Sequence, residues 1–216
     1  MKYILTDIEG TTTSISFVHD VLFPYSKEKM KSFILENQHQ EKVAHILNTI
    51  PGNLENKIEQ LKTWINEDKK EKALKDIQGL IWENGYLSGD IKGHVYPEVK
   101  DKLTEWKKNG FLLGVYSSGS IHAQKLLFKY SIDGNLDDLF SNNFDTSIGH
   151  KRDENSYVNI IKALNLPASE ILFLSDIKEE LDAAKKTGMS TIQLDRLNKL
   201  DEDGHQLVKN FNQIKF

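Results

Sequence analysis

With 216 residues, 38% hydrophobic and 28% charged, the chain can bury a core and reads as one soluble globular domain, or one domain carrying an insertion. A net charge of −4 leaves no basic surplus for nucleic acid, and the absence of cysteine excludes disulfides, thiolate catalysis and cysteine–zinc sites. The longest apolar run, Phe111 to Tyr116, falls far short of a membrane span, and Thr6 and Asp7 interrupt any leader-like core, so a cytoplasmic protein is expected.

In chain order, the first strand is expected at Tyr3–Thr6 and ends in two carboxylates, Asp7 and Glu9, followed by Gly10 and three threonines. From about residue 20 to 95 no strand-like run appears. Ile58, Leu61, Trp64 and Ile65 mark one amphipathic helix, and Ala73, Leu74, Ile77, Leu80 and Ile81 another. This stretch reads as a helical insertion, and its 11 lysines and 11 acidic residues over 24–96 argue against a single-sign binding surface. The expected division is a core of 1–19 and 97–216 with 20–96 inserted as a helical cap.

Beyond it, strand and helix alternate. Helical spacings run through Val99, Leu103 and Trp106, through Ala123, Leu126, Leu127 and Tyr130, through Tyr157, Ile160, Ile161 and Leu164, and from Leu181 to a stop at Gly188. Near-continuous apolar runs lie at Phe111–Tyr116, Ile171–Leu174 and Thr191–Leu194, with a weaker one at Asn143–Thr146. Strand–helix alternation implies right-handed crossovers and an α/β doubly wound parallel sheet, whose sites lie at the carboxyl ends of the strands. Leu207, Phe211 and Ile214 predict a last amphipathic helix over 200–216.

Four pieces could carry chemistry at those strand ends. Asp7 and Glu9 follow the first; Ser117 and Ser118 follow the second, in a position to offer hydroxyls and N–H groups at a helix N-terminus. Lys151 follows the weak third strand, and Asp176, with Glu180 four residues on, follows the next. Taken singly, each has an ordinary explanation: a turn-starting Asp, a capping Ser, a solvated Lys, acidic residues in a first helical turn.

Together they form the pattern of the haloacid-dehalogenase-like phosphatases, which this chain resembles across the sheet and in the position of its insertion, where that family carries a cap. "DIEGTTTSISFVHDVLFPY" (7–25), "GHVYPEV" (93–99), "VYSSGSIHAQKLLF" (115–128), "FDTSIGHK" (144–151) and "ILFLSDIKEELDAA" (171–184) further resemble the enolase-phosphatases of methionine salvage, the acireductone synthases. Where the superfamily usually has Asp two residues after its nucleophile, this chain has Glu9, as that branch does.

The resemblance implies that Asp7 attacks phosphorus and that Mg²⁺ is held by Asp7, Asp176 and the main-chain carbonyl of Glu9, with Glu180 orienting metal-bound waters. Lys151 is expected to hold Asp7 and the phosphate, and the Ser117 hydroxyl and Ser118 N–H the phosphoryl oxygens. Glu9 is the expected general acid and base, for which a water-poor site under the lid would raise its pKa. The implied substrate is the small phosphorylated diketone 2,3-diketo-5-methylthiopentyl-1-phosphate, and the enolising base stays open among Glu9, His19 and Glu98. Competing expectations are a phosphatase of the same fold for another small phosphomonoester and a phospho-accepting signalling domain. His39, His45 and His205 are expected to be solvated, His150 to cap or pack, Trp82 and Tyr86 to line a pocket or pack in the core, and the protein to be a monomer.

Overall fold

The structure, a computed structural model, describes residues 1–200 and 204–216. Among these, six strands form one parallel sheet in the order β3-β2-β1-β4-β5-β6. The strands are β1 (Tyr3–Thr6), β2 (Leu112–Tyr116), β3 (Asn142–Phe144), β4 (Ile171–Ser175), β5 (Ser190–Leu194) and β6 (Gln206–Val208). β1 and β4 are buried throughout, as their uninterrupted apolar sequences require of strands covered on both faces. The register sets Thr6 beside Val115 and Leu174, so three strands end level with one another at the same edge.

The chain divides into two compact units, Met1–Ile15 with Gly93–Phe216, and Ser16–Lys92. In the first unit, α6 (Val99–Lys108), α7 (Ile121–Lys129), α8 (Glu154–Leu164) and α9 (Lys178–Lys186) cross between strands. Tyr3, Leu5, Tyr116, Tyr157, Phe173 and Leu181 make the core under the strand ends. The second unit is all-helical. One turn, α1 (Ile15–Phe17), leads through a π-helical turn at Val18–Leu22 into α2 (Phe23–Asn37), followed by α3 (Glu41–Asn48), α4 (Leu54–Asn66) and α5 (Lys72–Ser88). Met30, Ile34, Val43, Ile58, Leu61, Ile77 and Ile81 form its separate core. Trp82 donates its indole N–H to the Leu22 carbonyl at 2.8 Å and stacks with Phe23, while Tyr86 is buried.

The expected C-terminal helix is not there. Residues 201–203 lie outside the described residues, but Gln206–Val208 is a strand pairing with β5, and Phe211–Gln213 is a single 3₁₀ turn. The buried positions are His205, Val208, Phe211 and Ile214, not Leu207. The reason is the open outer edge of β5, whose hydrogen-bonding groups the tail satisfies.

Candidate active site at the strand ends

β1 delivers Asp7 to the edge of the sheet, where its N–H donates to the Leu174 carbonyl at 2.8 Å. The chain then closes a tight loop: the N–H groups of Thr11, Thr12 and Thr13 all aim at the Ile8 carbonyl at 3.1, 2.9 and 2.9 Å, and Gly10 N–H donates to Thr13 O at 2.8 Å. Gly10 has φ +78°, and a Cβ there would fall 2.2 Å from Asp176 Oδ2, so glycine is needed for the turn and for the approach of Asp176.

Lys151 is no solvated lysine: it is 4% exposed. Its ammonium is paired with Asp7 Oδ1 and with Glu180 Oε2, the latter at 2.7 Å, and lies 5.7 Å from the centre of the Tyr116 ring. The backbone behind it is fixed by Tyr157, whose hydroxyl donates to the Lys151 carbonyl at 2.7 Å, and by Ser156, which donates to the His150 carbonyl at 2.7 Å. Glu180 also accepts from Ser175 Oγ at 3.0 Å. It thereby bridges Lys151 and Ser175.

Glu9 Oε2 accepts from Ser117 Oγ at 3.0 Å, joining the first strand end to the second. Ser117 and Ser118 do not open the helix as expected. Ser120 caps α7 by accepting from Ala123 N–H at 3.2 Å, and the Ser117 N–H is spent on the Phe144 carbonyl at 3.2 Å. The Ser117 hydroxyl accepts from Gly119 N–H at 3.1 Å, and Ser118 is exposed.

Asp7 and Glu180 thus share one ammonium, whose charge also reaches Glu9 and Asp176. Burial first, then the Asp7 charge, raises the pKa of Glu9 and Glu180 above the usual carboxylate range and brings Asp176 to about 7. Burial works against the Lys151 charge, but Asp7 and Glu180 outweigh it and hold the ammonium above its usual pKa. Asp176 Oδ1 is buried with no hydrogen-bond partner, although the Asp176 carbonyl accepts from Gln193 Nε2 at 3.0 Å. An orphaned carboxylate oxygen beside an excess of anionic groups suits a hard cation with oxygen ligands. Among the described residues no three His, Cys, Asp or Glu side chains form a cation cage by themselves. Two carboxylates and the Glu9 carbonyl need no third side chain.

His19 is exposed in the helical unit, edge-on to Phe23 at 5.6 Å. Glu98 is bound to Arg196 and accepts Phe211 N–H at 3.2 Å. His150 accepts Arg152 N–H at 3.3 Å. His39 and His45 are exposed, as expected, but His205 is not: it is buried, with Nδ1 2.8 Å from Thr191 Oγ1 and Nε2 3.0 Å from Asp182 Oδ1. Its polar sequence neighbours hid this, because the strand it introduces was read as a helix.

Sequence reasoning missed Arg196 and His94. His94 Nδ1 accepts Ser14 N–H at 3.2 Å and stands 2.9 Å from Thr13 Oγ1, which must then be the donor; burial lowers its pKa. The motif "GHVYPEV" held a hint, a histidine that follows Gly93 and precedes Pro97 by three residues.

The model of the haloacid dehalogenase-like hydrolase family matches residues 1–188, which takes in Asp7, Ser117, Lys151 and Asp176. The chain belongs to this family. It is a hydrolase, and its relatives narrow the branch. It is 48% identical to the enolase-phosphatase E1 of Sulfurihydrogenibium sp., covering 100% of this chain and 98% of that one, and 46% identical to the enolase-phosphatase E1 of Marinobacter nauticus, covering 99% and 96%. Among solved structures, the UTR4 protein of Saccharomyces cerevisiae superposes with a TM-score of 0.87 at 34% identity, covering 99% of each chain. No helix among the described residues is long and apolar enough to cross a membrane.

Proposed function

We propose that the chain is a Mg²⁺-dependent enolase-phosphatase that converts 2,3-diketo-5-methylthiopentyl-1-phosphate to acireductone and phosphate, in methionine salvage. The observation that carries this reading is the convergence of Asp7, Glu9, Ser117, Lys151 and Asp176 at one edge of the parallel sheet, with Glu9 hydrogen-bonded to Ser117.

Asp7 attacks phosphorus in line and becomes an aspartyl-phosphate, which water then cleaves at phosphorus to regenerate the carboxylate. Lys151 steadies the attacking carboxylate and neutralises charge on the transferring group. The Ser117 hydroxyl and Ser118 N–H bind phosphoryl oxygens. Asp7, Asp176 and the Glu9 carbonyl would hold Mg²⁺, which would supply positive charge where a carboxylate meets a phosphate.

Glu9 gives a proton to the leaving oxygen and takes one from the attacking water, work suited to a carboxyl whose pKa burial has raised. With Glu98 engaged by Arg196, Glu9 is the group of this cluster read as removing the substrate proton beside the carbonyl. The helical unit Ser16–Lys92 is read as the cap with a water-excluding role, and the protein as a cytoplasmic monomer.

One assay tests the reading. Purified protein is given the diketone phosphate with and without Mg²⁺, while phosphate release and the ultraviolet enol signal are followed together. Both are expected, and only with the metal. Phosphate without enol would instead mark a phosphatase for another small ester. A phospho-Asp7 that persists for minutes without turnover would mark a signalling domain.

A further inference from the structure

Arg196 follows the carboxyl end of β5, on the same edge of the sheet as the reacting groups but outside every motif that pointed to them. It is 7% exposed in its side chain, and its partner Glu98 12%. Both faces of its chemistry are used. Nε and Nη2 donate to the carbonyl of Thr11, the former at 3.1 Å, and Nη1 pairs with Glu98 Oε1. The guanidinium lies 4.0 Å from the centre of the Tyr96 ring and 5.2 Å from that of Phe211. The frame around it is closed: Tyr96 N–H donates to the Thr12 carbonyl at 3.0 Å, and Phe211 N–H to Glu98 Oε1 at 3.2 Å. Asp195, one residue earlier, accepts N–H groups of Lys199 and Leu200 at 3.0 Å each, fixing the turn from which Arg196 projects.

What this clamp holds is the loop that carries Glu9. Asp7 has holds of its own, its N–H bonded into β4 and its carboxylate gripped by Lys151, and the Thr12 hydroxyl touches only its carbonyl, at 3.3 Å. Glu9 lies beyond the strand, and the far limb of its loop is Thr11 and Thr12, whose carbonyls are taken by Arg196 and Tyr96.

We propose that Arg196, locked by Glu98, is a positioning residue that sets the reach of Glu9 toward the leaving group and the substrate proton, while leaving the nucleophile in place. The proposal rests on the functional reading above. A planar fork is required for it: Lys offers three donors from a single nitrogen and cannot give the two-nitrogen grip on Thr11, the pairing with Glu98 and the stacking together. A displacement of about 1 Å in a proton-transferring group can cost on the order of 10²-fold in rate, whereas loss of packing alone lowers every activity of the folded fraction equally.

The test compares two substrates in the Mg²⁺-loaded enzyme. p-Nitrophenyl phosphate has a leaving group that departs without an acid, so formation of the phosphoenzyme, read as a nitrophenolate burst, reports the attack by Asp7 with its Lys151 and Mg²⁺ support and needs no proton from the Glu9 side chain. The diketone phosphate, read by the enol signal, needs Glu9. Arg196→Met is expected to lose about 30- to 100-fold in kcat on the diketone and less than about threefold in the burst rate, with KM little changed. Arg196→Lys is expected to recover part of the enol rate. Glu98→Gln, which keeps the oxygen that accepts Phe211 N–H, is expected to reproduce the split more weakly, and these two variants decide the matter if Arg196→Met does not fold. Equal losses on both reactions in folded variants, or a loss confined to KM, would overturn the proposal. A wild-type protein that gives the nitrophenolate burst but no enol would overturn the functional reading instead, leaving the clamp to be judged on alkyl phosphate hydrolysis.

Discussion

Lys151, which is buried, and Arg196, whose side chain is 7% exposed, both hold carboxylates at the same edge of the sheet, and their surroundings differ in kind. Around Arg196 the charges balance: one carboxylate meets its one positive charge, with one carbonyl and two aromatic rings beside it. Around Lys151 they do not, since Asp7, Glu9, Asp176 and Glu180 outnumber it and Asp176 Oδ1 has no partner. A balanced buried ion pair builds structure. An unbalanced one stores the raised carboxyl pKa values and cation affinity that a phosphate-cleaving site uses.

The sharpest way to break that contrast is at the nucleophile. Asp7→Asn should lower kcat on any phosphate ester by about 10⁴-fold or more while the protein still folds, checked by phosphate release and circular dichroism. Glu9→Gln should lose about 10²–10⁴-fold on the diketone phosphate. Glu9→Asp, one methylene shorter, should slow the enol signal and phosphate release below wild type; both at full rate would show that the added length has no role.

Lys151→Met removes the single cation from its ring of anions. The variant should unfold more easily by about 3–5 kcal/mol in urea, and much of that should return in Lys151→Met combined with Glu180→Gln, which removes one stranded charge.

The pH dependence separates the two regions further. Asp176, Glu9 and Glu180 have raised folded-state pKa values, with Asp176 near 7. A raised carboxyl pKa means that the folded chain holds its proton more tightly than the unfolded chain. The resulting stability is full below the unfolded value of about 4 and is lost as pH rises through 7. In EDTA the wild type should therefore melt lower at pH 8 than at pH 5.5, and Asp176→Asn should narrow that gap by on the order of 1–2 kcal/mol. Mg²⁺ should raise the wild-type melting temperature more at pH 8 than at pH 5.5, and do little for Asp176→Asn.

The smallest effect belongs to a site far from this balance. His205→Gln loses its contact with Asp182 and should cost about 1 kcal/mol in stability with enolase and phosphatase rates unchanged.

The parallel sheet and four of the strand-end groups were legible because their signal is local. Tyr3–Thr6 and Ile171–Ser175 are apolar without alternation, which only a strand buried on both faces permits, and the polar residue that follows each must lie at the sheet edge. Helices α4 and α5 were legible by period; α2 and α3 were not singled out, because Gln38, His39 and Gln40 interrupt the apolar pattern and α3 is only 8 residues long. The tail was misread because Leu207, Phe211 and Ile214 share a helical spacing, while the unpaired edge of β5, which decides the matter, is invisible in the tail itself.

By itself, the sequence determined the α/β class, the order of the strand ends and the residue types at each reacting position, since these follow from short-range spacing, while the family was legible only through the resemblance of its five quoted motifs. Only the tertiary structure decided which charges are matched. Lys151 meeting Asp7 and Glu180, Glu9 meeting Ser117, and Arg196 closing on Thr11 and Glu98 are contacts across 29 to 185 positions of the chain. The desolvation that raises the pKa values of Glu9 and Asp176 exists only once the sheet has folded around them.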